Sequence, residues 1–80
     1  MPRYFFHTEN GHCSRDVEGE VLADGKAARA EALAVLGEIL RYQGDAFFET
    51  GAFSVTVTDE NRAEVVKLTA CVASPGDALP

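Results

Sequence analysis

The sequence predicts an α+β fold in which a small antiparallel β-sheet packs on one long amphipathic α-helix, in the element order β-β-α-β-β. Three observations lead to this prediction. Runs rich in aromatic and β-branched residues lie near both ends of the chain. A helical pattern of apolar residues fills the middle, and turn-forming residues divide each end into two strands. With 80 residues, the chain has enough surface to bury for one hydrophobic core.

The first strand is predicted over residues 3–9, directly after a proline that is tolerated at a strand start. Alternation places Tyr4 and Phe6 on one face of the sheet and Phe5 and His7 on the other. Asn10-Gly11 follows, and this dipeptide is a strong signal for a tight hairpin turn. The sequence therefore opens with a β-hairpin.

The return arm of this hairpin, residues 12–22, is polar and contains Gly19. We expect a short, irregular edge strand there, and the sequence leaves open whether residues 13–20 are strand or loop. Asp16, Glu18 and Glu20 form an acidic strip within it. Such a strip could bind a cation, but a solvated edge that discourages strand pairing is the favoured interpretation.

The helix is predicted from residue 26 to about residue 43, with Asp24 as the N-cap and Gly44 as a left-handed C-cap. At 100° per residue the predicted core face carries several apolar side chains, namely Ala28, Ala32, Val35, Leu36, Ile39 and Tyr42. Leu33 and Leu40 lie on the flank of this face. The apolar arc is wider than a small sheet needs, so we expect the flank to be covered by the loop 46–48 or by another subunit.

The last two strands are predicted over residues 53–58 and 65–72, joined by a turn at residues 59–62. The first of them alternates apolar and hydroxyl side chains, as a half-buried strand does. Residues 74–80 contain two prolines and a glycine and are predicted to be a flexible C-terminal tail. The single domain is therefore expected to span residues 1–73.

The composition describes an ordinary globular protein, with 46% hydrophobic and 25% charged residues. A net charge of −6 makes a nucleic-acid partner unfavourable, because phosphate binding requires clustered Lys and Arg. No signal peptide and no membrane span are evident, so we expect a cytoplasmic protein that does not bind a membrane. The two cysteines, Cys13 and Cys71, are expected to be reduced there.

Several segments resemble a family of short, uncharacterised bacterial single-domain proteins, a domain of unknown function. These are the opening Met-Pro-Arg-Tyr-Phe-Phe-His, residues 16–19 with Asp24, and the alanine-rich stretch 27–32. The resemblance implies a hairpin, a helix and a second hairpin, and it implies no chemistry. Family members often carry a glycine in the last turn, where this chain has Asn61-Arg62.

A second resemblance, over residues 19–38, is to antitoxins with a HicB-type partial ribonuclease-H fold. In those proteins, too, a glycine-containing edge strand runs into an Asp-capped helix rich in Ala and Glu. This resemblance implies an alternative function, that of an antitoxin or a nucleic-acid-linked regulator.

Two kinds of chemical site can be tested against the sequence. His7, His12, Cys13 and Cys71 are ligand types that zinc prefers, but their spacing matches no established zinc motif. A Cys–His nucleophile pair would also need an oxyanion site, and no glycine-rich loop opens the helix to provide one. A small metal- or thiol-dependent protein stays an alternative. We expect no enzymatic activity, no cofactor and no small-molecule substrate.

The favoured function is a non-enzymatic interaction or regulatory module that self-associates or binds another protein. Its candidate interaction surface consists of aromatic, histidine and leucine side chains that the core does not obviously need: Phe5, His7, Leu33, Leu40, Phe47 and Phe48.

Overall fold

The computed structural model describes residues 1–73; the predicted tail, 74–80, lies outside the described residues. It is an α+β domain with five strands and two helices in this range. In chain order they are β1 (Arg3–Glu9), β2 (Cys13–Ser14), β3 (Glu20–Val21), α1 (Gly25–Tyr42), α2 (Gly44–Thr50), β4 (Ala52–Thr58) and β5 (Glu64–Cys71).

The sheet is antiparallel throughout, in the order β2-β1-β4-β5, with β3 also pairing to β1. β1 therefore lies between its own hairpin partner and β4, which enters after both helices. In the β1–β4 pairing, Phe6 is opposite Val57 and Thr8 is opposite Val55. This pairing joins the two ends of the chain into one sheet.

The core lies between one face of the sheet and α1, which packs over β4 and β5. The predicted alternation of β4 is confirmed, since Phe53 is 1% exposed and Val55 and Val57 are 0% exposed. Tyr4 joins them from β1. On α1 the buried residues are Ala28, Ala32 and Leu36, spaced four apart along one face. Two alanines at the contact let the helix backbone approach the sheet closely.

The start of α1 is as predicted. The Asp24 side chain accepts a hydrogen bond from the backbone N–H of Ala27 at 2.9 Å, which satisfies one of the free donors of the first turn. The apolar face is shorter than predicted, because Tyr42 in the last turn is 71% exposed.

The prediction of one long helix is wrong, because a second helix, α2, follows after Gln43 alone. Gly44 is the first residue of α2 and not a left-handed cap. That role belongs to Gly51, which ends α2 with φ 90°. The segment 46–48, expected to be a loop, lies inside α2. Phe47 anchors it, with its ring 5.2 Å from that of Phe53 in an edge-to-face contact.

The element order β-β-α-β-β is also wrong, because the return arm of the first hairpin forms two strands and not one. The hairpin itself is confirmed, with Glu9 opposite Cys13 across residues 10–12. Residues 15–19 then leave the ladder, and β3 pairs again where Tyr4 faces Glu20. The sequence leaves open whether residues 13–20 are strand or loop. In the structure they form a loop, residues 15–19, between two short strands.

The last hairpin contains a β-bulge, since Val57 is opposite Val66 whereas Thr58 is opposite Glu64. In the turn before it, the Asp59 side chain accepts hydrogen bonds from the N–H groups of Asn61 and Ala63. Arg62 has φ 66°, a conformation that glycine adopts without steric cost. Arg62 belongs to the Asn61-Arg62 pair of the turn in which the resemblance leads one to expect a glycine.

Neither helix in residues 1–73 has the length and apolar character required to cross a lipid bilayer.

Two glycines give a matched test of the loop that follows β2. At Gly19, with φ 73°, a Cβ would lie 2.8 Å from the carbonyl oxygen of Tyr4, whereas at Gly37 it would meet nothing within 4 Å. We expect Gly19→Ala to lower the free energy of unfolding by about 2–4 kcal/mol. Gly37→Ala should raise it by about 1 kcal/mol through helix propensity. Urea denaturation followed by circular dichroism measures both, and equal effects at the two positions would contradict the close packing of the loop.

Candidate functional site

The sheet face that points away from α1 is open and polar. A surface groove of about 370 Å³ lies on it, between β2 with Arg15 and the β4–β5 turn. Its lining includes His7, Thr56 and Thr58 of the sheet and the two arginines Arg15 and Arg62. An adjoining groove of about 250 Å³ includes Phe5. The alternation predicted for β1 therefore does bring Phe5 and His7 to the face opposite the core.

Both ring nitrogens of His7 have partners inside the chain. Nδ1 accepts the backbone N–H of Asp16 at 3.1 Å, and Nε2 lies 3.1 Å from the Thr58 hydroxyl. Because Nδ1 accepts a hydrogen bond, the neutral ring carries its proton on Nε2, which donates to Thr58 Oγ1. His7 thus links the loop 15–19 to β4 and has a structural role.

Asp16 is the centre of that loop. Its carboxylate accepts three backbone N–H groups, from Phe6 at 3.0 Å, Glu18 at 3.1 Å and Gly19 at 3.0 Å. Partial burial acts to raise the pKa of Asp16. The hydrogen bonds from Gly19, Phe6 and Glu18, with a smaller contribution from the nearby His7, outweigh it, so the pKa lies below its ordinary value.

These contacts close the outer edge of β1. β2 and β3 cover its two ends, and in the gap between them the Asp16 side chain accepts the N–H of Phe6 in place of a neighbouring strand. Arg3 adds a hydrogen bond to the carbonyl oxygen of Glu18 at 2.8 Å. An edge that would otherwise present unpaired backbone groups is thus occupied by the chain itself.

The opposite edge of the sheet is formed by β5, and within residues 1–73 no strand pairs with its outer side. The backbone N–H of Val72 donates to Gly51 at 2.9 Å, which continues the β4–β5 ladder past the end of β5. Since inward and outward groups alternate along a strand, Lys67, Thr69 and Cys71 direct their N–H and C=O groups away from β4. Their side chains are exposed.

The six residues of the predicted interaction surface lie in separate parts of the molecule. Leu40 and Phe47 pack partly against the core. Leu33 on α1 and Phe48 on α2 are 64% and 71% exposed. These four belong to the helical layer, whereas Phe5 and His7 lie on the far face of the sheet. The use of any of them as a contact stays a prediction.

The thiol and metal candidates are likewise separated. The Cys13 thiol donates a hydrogen bond to Glu9 at 2.9 Å, and this bond, together with the negative charge of Glu9, raises the pKa of Cys13. Cys71 lies on β5, at the opposite edge of the sheet, and both thiols are free and exposed. In the part of the chain that the structure describes, no three His, Cys, Asp or Glu side chains are grouped so that they could hold a metal ion.

Sequence reasoning missed the two features that distinguish the sheet edges. It grouped Asp16 with Glu18 and Glu20 as a solvated strip, although the spacing Asp16-x-x-Gly19 is typical of a side chain that caps its own following turn. The open edge of β5 had no sequence signal, because strand order follows from tertiary pairing alone.

The fold and these contacts define a small α+β domain with an antiparallel sheet, helices over one face and one self-capped edge. Residues 3–71 match the family described as "Domain of unknown function (DUF6894)", and the chain belongs to that family. No curated protein and no solved structure matches it. The expected membership of a family without an assigned function is confirmed, and the bacterial source stays a prediction.

The lowered pKa of Asp16 predicts an acid-sensitive contribution to stability. At neutral pH we expect Asp16→Asn to lower the free energy of unfolding by about 1–3 kcal/mol, because hydrogen bonds to a carboxylate are weakened. The native pKa lies below the unfolded value of about 3.9, so the contribution is present above that pH and is lost as pH falls through the native pKa.

The measurement is urea denaturation between pH 7 and pH 3. The difference between wild type and Asp16→Asn should shrink below about pH 4. Asp24→Asn is the matched control, since Asn caps a helix as well as Asp does. A difference that is constant with pH would show that the Asp16 charge contributes nothing.

Proposed function

We propose that this protein is a non-enzymatic interaction module of the cytoplasm, and that it self-associates through the outer edge of β5. The observation that carries the proposal is the contrast between the two sheet edges. One edge is closed by β2, β3 and the Asp16 carboxylate, whereas Lys67, Thr69 and Cys71 of β5 direct backbone groups to a side that no strand within residues 1–73 covers. Strand addition at such an edge is a common mode of protein association.

The character of the β5 edge supports this use. Proteins usually protect a free edge with proline, a bulge, charged side chains such as lysine, or a very short strand. Between Val66 and Cys71 the edge has one charged side chain, that of Lys67. The bulge lies before this stretch, at the start of the strand. The stretch is therefore regular enough to pair with another strand along its whole length.

We propose that the protein is not an enzyme, because the two groups that could act as a base and a nucleophile are in unreactive states. His7 uses both ring nitrogens in contacts that hold the fold. The raised pKa of Cys13 disfavours its thiolate, which is the reactive form. Two free, exposed thiols suit a reducing compartment, which supports the cytoplasmic location.

A second candidate function, a nucleic-acid-linked regulator, is favoured by the open sheet face. Arg15 and Arg62 flank the groove above His7, and Phe5 lies in the adjoining one, as on a surface that stacks single-stranded bases. The net charge of −6 and Glu9 in the same groove oppose it.

Salt separates the two candidates. Nucleic-acid binding weakens as salt rises, whereas two copies of a chain with charge −6 repel each other less and associate more strongly. Oligonucleotide binding that falls with added NaCl, in a protein that stays monomeric, would favour the second function.

Self-association through β5 can be tested with Thr69→Pro. Its N–H points away from β4, so proline removes an outward donor without breaking the ladder inside the chain. We expect the dissociation constant of the dimer, measured by sedimentation equilibrium, to rise about 30-fold. This corresponds to the loss of two symmetric hydrogen bonds of about 1 kcal/mol each.

Val17→Ser is the matched control, because Val17 is 80% exposed in the loop at the opposite edge of the sheet. It should leave association unchanged. A wild-type protein that sediments as a monomer at high concentration would refute the proposal. Loss of the dimer in Leu33→Gln, with Thr69→Pro unaffected, would place the contact on α1 and also refute it.

A further inference from the structure

Along β5, residues whose N–H and C=O groups point towards β4 alternate with residues whose groups point away from it. From this alternation we infer the register of the dimer: two copies pair their β5 strands antiparallel about a two-fold axis at Thr69. This inference rests on the proposed self-association and adds the orientation and alignment of the partner. The result is a sheet that runs without interruption from β2 of one subunit to β2 of the other, with both α1 helices on the same face.

The first constraint is the direction of the backbone groups. Outward N–H and C=O groups belong to Lys67, Thr69 and Cys71, since those of Val66, Leu68, Ala70 and Val72 face β4. In an antiparallel pair, residues that exchange hydrogen bonds lie directly opposite each other. Outward residues must therefore face outward residues, which restricts the symmetry axis to a residue position such as Lys67, Leu68 or Thr69.

The second constraint is the length of the regular ladder. On one side the bulge between Val57 and Thr58 interrupts the pairing before Val66, and on the other side the hydrogen bond from Val72 to Gly51 extends it. The regular stretch therefore runs from Val66 to Val72, and its midpoint is Thr69. With the axis there, every outward residue of this stretch faces an outward residue of the partner.

The alternative axes are less favourable. An axis at Leu68 would place Cys71 opposite Val65, which lies in the bulge, and so lose a pair of backbone bonds. An axis at Lys67 would place two ammonium groups directly opposite each other, which is destabilising. With the axis at Thr69, Lys67 faces the partner subunit's Cys71 and the two charges lie four residues apart along the strands.

The side chains are compatible with this register on both faces. On the open face Thr69 meets the partner subunit's Thr69, a cross-strand pair that stabilises sheets. On the face covered by helices, Leu68 meets the partner subunit's Ala70, and Val66 meets the partner subunit's Val72. Leu68, Ala70 and Val66 already pack against the core, so the apolar layer continues across the axis.

Disulfide trapping tests the register directly. The probes are single cysteine variants in a Cys13→Ser, Cys71→Ser background, oxidised under mild conditions. Residues that exchange hydrogen bonds across an antiparallel pair have Cα atoms about 5.5 Å apart, which a disulfide can bridge. We expect Thr69→Cys to form a covalent dimer that reducing agent reverses, with at least about tenfold more product than Lys67→Cys alone.

Thr56→Cys is the control for collision in solution. It lies on β4 and on the same open face. In the proposed register it lies about 20 Å from its counterpart, because three strand spacings and an offset of four residues separate the two, so it should give no dimer.

The outcomes separate the register from the self-association. A homodimer from Lys67→Cys, or a mixed dimer formed only when Lys67→Cys and Thr69→Cys are combined, would overturn the axis at Thr69 and leave the β5 dimer in place. Wild-type protein that sediments as a dimer while none of these cysteines is trapped would overturn the register and the β5 contact. A monomeric wild type with no trapping would overturn the proposed function as well.

Discussion

The carboxylate of Asp16 is the interaction on which the rest of this small sheet depends. It accepts three backbone N–H groups, one of them from β1, at the place where the neighbouring strand is interrupted. His7 holds the same loop from the other side, and Gly19 lets it approach the carbonyl oxygen of Tyr4. A short polar segment thus supplies a hydrogen-bond partner to the edge of β1 although it is not itself a strand. The Asp16 side-chain oxygen accepts the bond that the carbonyl oxygen of a neighbouring strand would otherwise accept.

The consequence is a sheet with two unlike edges. The helices cover one face of the sheet, with α1 over β4 and β5, and this packing does not pair the backbone groups at either edge. The chain uses its hairpin arm to close one edge, and within residues 1–73 no strand covers the backbone of β5 at the other. The net charge of −6 makes two copies of the chain repel each other, whereas the β5 edge itself carries little charge. In the dimer that we propose, association is therefore directed to this one edge, where backbone groups gain partners that water otherwise provides.

The packing of the two helices is also a consequence of the small size of the core. Ala28 and Ala32 contact the sheet through small side chains, which brings α1 close but leaves little side chain to fill the end of the core. Phe47 on α2 fills it by packing against Phe53. The second helix thus contributes to this end of the core. Leu33 stays exposed because it lies on the flank of α1, beyond the reach of a sheet this narrow.

The sequence by itself determined the elements whose signals are local. The alternation of Phe53, Val55 and Val57, the Asp24 cap and the face of Ala28 and Leu36 each depend on neighbours a few residues away, and the structure confirms them. Tertiary structure decided the rest. The order of the strands, the hydrogen bond from Phe6 of β1 to Asp16, the helix at Phe47 and the open side of β5 depend on residues far apart in the chain. Their free energies arise only once those residues meet, so no local pattern records them.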